Sequence, residues 1–547
     1  MDINNNQAST AERTIISNAT VVDGSGAHGF LADVVLENGA IHQIAAPGSH
    51  AGQAGVIDAT GLVLSPGFID MHAHSDLQLF LAPGHYAKLS QGVTTELLGQ
   101  DGLSYAPIDD ATLTGVRAKI AGWNDNPEDF DFSWRTVGEY LDRLDQGIAT
   151  NAAYLVPQGT VRAMVRGFHD GAATPEEVAA QQGIIRTAME EGAVGMSSGL
   201  TYTPGMYATT QELAQLCSTV ADFGGFYAPH HRSYGKGALE AYGEMIELSR
   251  TTGCALHLSH ATMNFAPNKG RAPELLGLID RALDEGVDIT LDTYPYLPGA
   301  TTLSAILPSW ASAGGTEATM ARLRDAHTLA RIRENVEIYG SDGCHGVVAE
   351  WGTLEISGVK NPELDACVGK TIEQIAAEMG EDPFDTFVRI LLQDSMATGI
   401  LQHVGHEENV RDIMVHRTHC GGSDGILVGA KPHPRAWGTF PRFLGHYSRE
   451  LGLLSLEEML HHLTGRPAAR LKLVDRGLIR EGYAADLVLF DPKTINATAT
   501  FQNPRQPAAG IHYVFVNGIA AIEAGTPTGA LAGRALRRTP EGTRPTP

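Results

Sequence analysis

The chain is long, rich in apolar residues and strongly acidic. Its 547 residues are too many for one simple core and predict a large domain with appended modules. Hydrophobic residues make up 43% of the chain, yet no uninterrupted apolar run of about 18 residues indicates a membrane span. The formal net charge of -24, without any Lys/Arg cluster, argues against a nucleic-acid partner. A soluble globular protein is expected.

The start of the chain and its cysteines predict a cytoplasmic protein. Residues 1–6 contain neither a basic n-region nor an apolar h-region, so no export signal is expected. The five cysteines are widely spaced and form no Cys-x-x-Cys pair, which favours reduced thiols over a disulfide framework. Because buried cysteine usually behaves as a small hydrophobe, a cysteine nucleophile is not favoured.

The first 60 or so residues and the C-terminal region show the same pattern of short strands and turns. Residues 14–24 and 33–39 are short strand-and-turn units, and residues 486–491 and 512–518 repeat the pattern. We expect the two ends to pair into one small β-sandwich. Residues 534–547 are rich in Arg, Pro, Thr and Gly and are expected to be poorly packed, although they could wrap a neighbouring surface.

Residues 67–74 form an apolar run that ends in a His-x-His pair. In a β-strand successive side chains alternate between the two faces, so His72 and His74 would point the same way as Asp70. These side chains could close on one cation. An isolated pair of histidines can equally be an ordinary buried hydrogen-bonding pair, so further ligands are needed to decide.

Between residues 179 and 294 helical and strand-like segments alternate. Helical patterns over 209–220, 237–250 and 274–284 are followed by strands that end at His230, His260 and Asp292. Such alternation predicts a parallel sheet, either a (β/α)₈ barrel or a doubly wound open sheet. In both architectures the strand ends meet at one edge, which brings the two histidines together.

The segment from about 298 to 417 is irregular and predicts an inserted subdomain beside the site. Its Gly340-Ser341-Asp342-Gly343 motif is interpreted as a loop turn.

After this segment, Asp424 lies among glycines, where the backbone can turn sharply and leave the carboxylate exposed. Four histidines and one aspartate at strand ends suit a divalent cation, most plausibly zinc, with an open position for water.

These motifs resemble a known family. His72-Ala73-His74, Ser259-His260 and residues 422–425 and 433–442 are similar to the amidohydrolase superfamily, within it the D-aminoacylases, or N-acyl-D-amino-acid deacylases. The resemblance continues through residues 465–469 and 482–488. It implies an α/β fold, a (β/α)₈ TIM-like barrel with a small β-sandwich built from both chain ends and an inserted subdomain. The expected boundaries are 1–64 for the N-terminal sandwich part, 65–470 for the barrel with its insertion, and 471–547 for the C-terminal sandwich part and tail.

The resemblance also implies metal-binding roles. His72 and His74 would hold one metal position, His230 and His260 the other, and Asp424 would touch the first metal and handle protons. Where the family has a cysteine in a Gly-x-Cys-Gly context, this chain has Asp101. A carboxylate can bridge two cations as well, so we expect Asp101 to replace the thiolate. Two alternatives stay open: Glu96 on the same strand, or Asp101 as a turn former beside a single metal.

The resemblance further matches Tyr202, Tyr294 and Arg435 to residues that grip the amino-acid part of the substrate. A guanidinium can bind a carboxylate through two parallel hydrogen bonds, whereas the tyrosines could equally serve aromatic packing. Two positions depart from the family. The lysine that often follows its Ser-His pair is absent from Ala261-Thr262-Met263, and the serine after its Tyr-Pro-Tyr motif is Ala300.

Three functions compete. The first is metal-dependent hydrolysis of the amide bond of N-acyl-D-amino acids by metal-activated water, with Asp424 as general acid and base and one or two Zn²⁺ ions. The second keeps the metal but acts on a cyclic amide, such as a hydantoin or dihydropyrimidine, or on a dipeptide. Hydantoinase-like relatives commonly use a carboxylated lysine, and residues 93–99 contain none. The third is a non-enzymatic scaffold, although all five candidate ligands are present. A homo-oligomer stays open.

Overall fold

The computed structural model describes residues 13–50, 53 and 55–546. In chain order the strands are β1 (Thr14–Val21), β2 (Phe30–Glu37), β3 (Ala40–Ala45), β4 (Val56–Asp58), β5 (Val63–Pro66), β6 (Phe68–Asp70), β7 (Val93–Leu98), β8 (Asn151–Pro157), β9 (Gly195–Gly199), β10 (Phe226–His230), β11 (Ala255–Leu258), β12 (Ile289–Thr293), β13 (Gly299–Thr302), β14 (Leu354–Gly358), β15 (Gly399–Gln402), β16 (His419–Gly421), β17 (Leu487–Phe490), β18 (Ile511–Val516), β19 (Ile519–Glu523), β20 (Thr526–Pro527), β21 (Leu536–Thr539) and β22 (Gly542–Pro545).

The α-helices within these residues vary from one turn to more than four turns. They are α1 (Gln78–Leu81), α2 (Tyr86–Leu89), α3 (Asp110–Lys119), α4 (Ala121–Asn124), α5 (Val137–Leu144), α6 (Gln158–Arg166), α7 (Pro175–Glu190), α8 (Thr210–Asp222), α9 (Ala238–Thr252), α10 (Ala272–Asp284), α11 (Thr316–Arg324), α12 (Ala326–Glu334), α13 (Ile372–Met379), α14 (Pro383–Gln393), α15 (Glu407–Met414), α16 (Arg435–Arg442), α17 (Leu456–Leu463) and α18 (Gly465–Arg470). Among the described residues, no helix combines the length and the apolar character that crossing a membrane requires.

Eight parallel strands form the central barrel. Their order is β6-β7-β8-β9-β10-β11-β12-β16, and every neighbouring pair is parallel. Backbone hydrogen bonds close the ring between its first and last strands: Met71 N donates to Gly421 O at 3.1 Å, and Asp424 N donates to His72 O at 2.8 Å. The prediction of a (β/α)₈ barrel is therefore confirmed, and the doubly wound open sheet is not formed.

Helices α7 to α10 supply the predicted helix-then-strand alternation. Helix α8 begins where Thr209 accepts a hydrogen bond from Glu212 N at 3.1 Å. The side chain of Glu212 does not complete a capping box, because it accepts hydrogen bonds from Gln181 and Arg162 instead. Helix α9 ends at Gly253, whose φ of 70° is left-handed. Helices α8, α9 and α10 thus end shortly before the strands that lead to His230, His260 and Asp292.

The two ends of the chain meet in a second sheet. Its strands follow the order β20-β19-β18-β17-β5-β1-β2-β3, with β4 pairing with β1. The junction is antiparallel, with Leu487 opposite Pro66 and Phe490 opposite Val63. Ile16, Val34 and Leu487 bury one face of this sheet. The expected pairing of the N-terminal and C-terminal strands is thus present.

The C-terminal tail differs from the expectation that it would be poorly packed. Strands β21 and β22 form a hairpin, and Leu536 is buried among barrel residues such as Met71 and Leu155. Arg537 binds Asp142 at 2.7 Å and Asp145 at 2.6 Å. The expectation of poor packing was therefore wrong, and the alternative that the tail wraps a neighbouring surface is confirmed. Composition alone did not show that one buried leucine and an acidic partner on α5 would hold the hairpin.

The insertion between β12 and β16 has a core of its own. Strands β13, β15 and β14 form an antiparallel sheet, and Leu303, Phe384, Phe387 and Ile400 are buried beneath it with α11 to α14 nearby. Asp342 accepts hydrogen bonds from the backbone of Ser309 and Gly343, so its motif is a loop turn as interpreted from the sequence. Strands β13 and β15 lie beside the barrel mouth.

Candidate metal centre

The carboxyl ends of the barrel strands present six candidate ligands at one mouth. Strand β6 is followed by His72 and His74, β11 by His260 and β16 by Asp424, while His230 is the last residue of β10. Asp101 lies in a short 3₁₀ turn just after β7. Because parallel strands end at the same edge, residues from distant parts of the sequence converge here.

The six residues form two groups that share Asp101. The first group is His72, His74, Asp101 and Asp424, and the second is Asp101, His230 and His260. In each group one ligand atom per residue lies within 4.8 Å of the others, and all six residues are buried.

The distances place Asp101 centrally. Its Oδ1 lies 3.6 Å from His72 Nε2 and 3.4 Å from His260 Nε2. Its Oδ2 lies 3.6 Å from His74 Nε2 and 3.5 Å from His230 Nδ1. Asp424 Oδ1 is 3.2 Å from His74 Nε2. A carboxylate with histidine nitrogens around both oxygens has the geometry of a bridging ligand.

The donor set fits a cation on two further observations. Both ring nitrogens of His72 and Oδ1 of Asp101 are buried without a hydrogen-bond partner within the described chain. Buried polar atoms are normally satisfied, so unpartnered atoms that face one another, such as His72 Nε2 and Asp101 Oδ1, fit a bound cation. Four imidazoles with two carboxylates are a nitrogen and oxygen set that zinc accepts readily.

Backbone strain also marks the site. Asp101, His260 and Asp424 have φ values of 54°, 33° and 47°, in the left-handed region that non-glycine residues rarely occupy. Such strain costs about 1–3 kcal/mol per residue and persists where the surroundings enforce it. One enforcing contact is close packing on Gly199, where a Cβ would lie 2.1 Å from the carbonyl oxygen of Asp101.

The electrostatics of the site favour positive charge. Burial raises the pKa of the Asp101 carboxyl, but the surrounding imidazoles of His260, His72 and His230 outweigh it and hold that pKa well below its usual range. Burial lowers the pKa of His72, but Asp101 and then Asp292 reverse the effect and raise it to about 9. The carboxylates thus stay ionised and would stabilise a cation in this position.

Several residues around the ligands were not anticipated. Tyr234 Oη lies 3.0 Å from His260 Nδ1, and Thr201 Oγ1 lies 2.7 Å from His230 Nε2. Asp292 Oδ1 accepts a hydrogen bond from His260 N, and its Oδ2 lies 3.7 Å from His72 Nδ1. Such contacts fix the orientation of ligand side chains. Asp292 follows the same strand-end rule as the histidines, so that rule could have found it.

Asp70 and Glu96 do not join the metal ligands. Asp70 binds the ammonium of the buried Lys88, and Ser423 donates to Asp70 from both its backbone and its hydroxyl. Glu96 lies 2.6 Å from His85 Nε2 and 3.3 Å from Lys88 Nζ. Neither carboxylate belongs to the two ligand groups. Of the two acidic side chains proposed near β7, Asp101 is therefore the one that faces the histidines, although it also occupies a turn.

The predicted substrate-binding residues occupy different places. Tyr202 and Tyr294 line a cavity of about 70 Å³ above Asp101 and Asp424. Arg435 does not line it: the guanidinium is fully buried, lies 4.4 Å from the centre of the Tyr294 ring, and approaches Asp424 Oδ2 to 2.8 Å. Nε and Nη1 of Arg435 have no hydrogen-bond partner within the described residues. The guanidinium therefore has two N–H groups without a hydrogen-bond partner, and it lies directly behind the cavity wall.

Comparison with known proteins agrees with this geometry. Residues 55–520 match the amidohydrolase family. A D-aminoacylase of Alcaligenes xylosoxydans xylosoxydans is 35% identical over 529 residues, covering 96% of this chain and 97% of the relative. An N-acyl-D-aspartate deacylase of the same organism is 34% identical, covering 92% and 91%. The crystal structure of an N-acyl-D-glutamate deacylase from Bordetella bronchiseptica, complexed with zinc and a phosphonate mimic of the tetrahedral intermediate, is 31% identical with a TM-score of 0.82, covering 96% and 99%.

Proposed function

The chain belongs to the amidohydrolase family, and from this premise we propose that it hydrolyses the amide bond of N-acyl-D-amino acids, giving a carboxylate and a D-amino acid. The observation that carries the proposal is the pair of ligand groups joined by Asp101 at the barrel mouth. Relatives that cover nearly the whole chain are deacylases of this substrate class.

The six ligands would hold one or two divalent cations, with zinc the best match. His72, His74, Asp101 and Asp424 would hold the first, and Asp101, His230 and His260 the second. When bound, such a cation acts as a Lewis acid that polarises the scissile carbonyl and makes the attacking water more acidic. The carboxylate of Asp101 takes the place of the thiolate that the family resemblance leads us to expect.

Asp424 is proposed to carry the proton. Burial raises the pKa of its carboxyl, but Arg435 and then His74 outweigh this effect and hold the pKa well below its usual range. The carboxyl is therefore ionised in the resting site, and we propose that it accepts a proton from the water that attacks the amide carbon. It then donates that proton to the amide nitrogen as the C–N bond breaks, so the water oxygen remains in the new carboxylate and the amine departs.

Tyr202, Tyr294 and Arg435 are proposed to hold the amino-acid part of the substrate. The two tyrosines lie on the cavity surface beside Asp424. The Arg435 guanidinium lies behind Tyr294 with two nitrogens free of hydrogen bonds within the described chain. It would bind the substrate carboxylate when the Tyr294 ring shifts aside. Recognition through Arg435 would place the scissile amide next to Asp424, because the two side chains are already in contact.

The proposed partner is a small molecule, and the proposed compartment is the cytoplasm. All five cysteines are unpaired and buried, and burial raises the pKa of Cys344 to about 11 and of Cys420 to about 12. Such thiols are protonated near neutral pH, which supports water rather than cysteine as the nucleophile. Light scattering of the purified protein would decide whether it is a homo-oligomer.

Hydrolysis assays test the proposal. N-acetyl-D-methionine and N-acetyl-L-methionine are compared with hydantoin and a dipeptide, with zinc and after chelation. We expect zinc-dependent release of D-methionine. The variant Asp424→Asn keeps the shape of the side chain but cannot carry a proton, so kcat should fall by about 10²–10⁴-fold while the circular dichroism spectrum is unchanged. Turnover of hydantoin or the dipeptide without turnover of the N-acetyl-D-amino acid would refute the proposal.

A further inference from the structure

A small cavity separate from the metal centre lies between α3, α11 and the loop that follows β9. It measures about 50 Å³ and shares no lining residue with the 70 Å³ cavity above Asp101. A single water needs about 10–15 Å³ of such space, so the cavity has room for several heavy atoms. Thr203, on its wall, directly follows Tyr202 of the metal-site cavity. The two cavities are therefore distinct but adjacent.

The lining of this cavity carries one positive charge and no carboxylate. Lys119, the last residue of α3, is the only charged residue among the described residues that line it. Burial lowers the pKa of Lys119 to about 8, and no neighbouring charge contributes to the shift. The ammonium is therefore mostly protonated at pH 7. An anion in the cavity would supply the counter-charge that the described chain does not provide.

The cavity wall also offers hydroxyl groups that have no partner. Thr203 and Ser312 are only 3% and 8% exposed, yet neither hydroxyl has a hydrogen-bond partner in the described part of the chain. The hydroxyl of Thr316, on the same wall, is unpartnered as well. Buried hydroxyls are normally hydrogen-bonded, and each of these can donate one O–H to a group inside the cavity. They indicate an occupant that accepts hydrogen bonds.

The N-terminus of α11 adds to the positive potential. The helix begins at Thr316, and its N-cap residue, Gly315, lines the cavity and has no side chain that could accept from the N–H groups of the first turn. Such a helix end favours a negatively charged ligand. Glu317, the acidic residue of the first turn, is exposed and does not line the cavity. The helix end, the ammonium and the free hydroxyls thus favour the same class of ligand.

We propose that this cavity binds a small oxyanion, with the ammonium of Lys119 as the counter-charge and the hydroxyls of Thr203 and Ser312 as hydrogen-bond donors. Inorganic phosphate, sulfate and short carboxylates such as acetate share this chemistry. Water would satisfy the hydroxyls but has no charge to pair with the ammonium. The site is independent of the proposed hydrolysis, because none of its residues belongs to the two groups of metal ligands.

Anomalous diffraction with selenate, a tetrahedral oxyanion, tests the location. Crystals of the zinc-loaded enzyme are soaked in sodium selenate, and peaks that appear only above the selenium edge are separated from those of zinc. We expect such a peak in the cavity, with selenate oxygens about 2.7–3.2 Å from Lys119 Nζ and from the hydroxyl of Thr203 or Ser312. Selenate bound only at the zinc ions, or nowhere in the crystal, would overturn the inference.

Isothermal titration calorimetry tests binding in solution. Sulfate and acetate are titrated separately, at constant ionic strength, into the zinc-loaded wild type and three variants. Lys119→Met should raise the Kd of the preferred anion about 10-fold to 100-fold, and Ser312→Ala about 2-fold to 10-fold, since each loses a contact to a charged ligand. Lys269→Met, a substitution of an exposed lysine outside the cavity, is the matched control and should leave the Kd unchanged.

The comparison between variants separates the two places where an anion can bind. Binding at the zinc ions does not involve Lys119, so it contributes equally to the wild type and to Lys119→Met. An unchanged circular dichroism spectrum shows that each variant folds, and Ser312→Ala provides the test if Lys119→Met does not. The anion with the lower Kd identifies the class that the cavity prefers. No binding by the wild type, or equal Kd values in the wild type and both cavity variants, would refute the inference.

Discussion

Lys88 should be highly sensitive to substitution. Its side chain is completely buried and its ammonium contacts Asp70, Glu96 and the hydroxyl of Ser423. Burial lowers the pKa of Lys88, but the two carboxylates outweigh it and raise that pKa above its usual value. Asp70 also accepts the backbone N–H of His72 and of Ser423, so this ion pair lies at the seam where the barrel closes.

The variant Lys88→Met keeps the aliphatic stem and removes the charge. Two buried carboxylates then lose their shared cation, and breaking one buried pair costs about 3–5 kcal/mol. With about 2.1 cal/mol/K of unfolding entropy per residue, the 547 residues give roughly 1.1 kcal/mol/K, so the Tm should fall by about 3–4 °C. Differential scanning calorimetry measures the shift. Activity should fall as well, because Ser423 precedes Asp424.

Two controls make the test specific. Lys269 is exposed and has no ion pair among the described residues, so Lys269→Met should change stability by less than about 0.5 kcal/mol. Asp70→Asn should cost less stability in the Lys88→Met background than in the wild type, because the unpaired carboxylate is already costly there. Equal Tm values for Lys88→Met and Lys269→Met would refute the reasoning.

Three further changes have defined outcomes. Asp101→Ala should remove most bound zinc and most activity, whereas Asp101→Cys should keep part of both; unchanged zinc stoichiometry in Asp101→Ala would restore the turn-former interpretation. Arg435→Ala should lower kcat/KM for an N-acyl-D-amino acid by about 10-fold to 100-fold but affect its methyl ester less, and equal losses would make Arg435 structural. Burial raises the pKa of Asp33, but hydrogen bonds from Asn18, Gly48, His50 and Ser17 outweigh it and lower that pKa to about 2. Since this stabilisation is present above the unfolded pKa of 3.8 and lost as the pH falls toward 2, Asp33→Asn should cost about 2 kcal/mol at pH 7 and progressively less below pH 4 in denaturant titrations.

Local sequence signals predicted the parts of the site that depend on strand ends. His230 and His260 each follow a helix and a short strand, and the barrel brings them to within 3.0 Å, from Nδ1 of the first to Nε2 of the second. The helix boundaries were close as well: the pattern over 274–284 corresponds to α10, Ala272–Asp284. These features arise from residues close together in sequence, where periodicity and capping residues are informative.

Features that depend on distant contacts were not predictable in this way. The Lys88–Ser423 hydrogen bond joins residues 335 positions apart, and nothing in the sequence around Lys88 indicates that it is buried. The contacts of Arg435 with the Tyr294 ring and with Asp424 likewise join parts of the chain that are far apart in sequence. Leu536 in the tail packs against the barrel for the same reason. In each case the contacting residue is distant in sequence and comes close only when the chain folds.

The most direct test of the metal centre is anomalous diffraction at the zinc edge from crystals grown with zinc. We expect at least one anomalous peak at a ligand distance of about 2.0–2.2 Å from His72 and His74 or from His230 and His260, with a carboxylate oxygen of Asp101 in contact. Zinc-loaded crystals from an active preparation that show no peak among these six residues would contradict the assignment of the site.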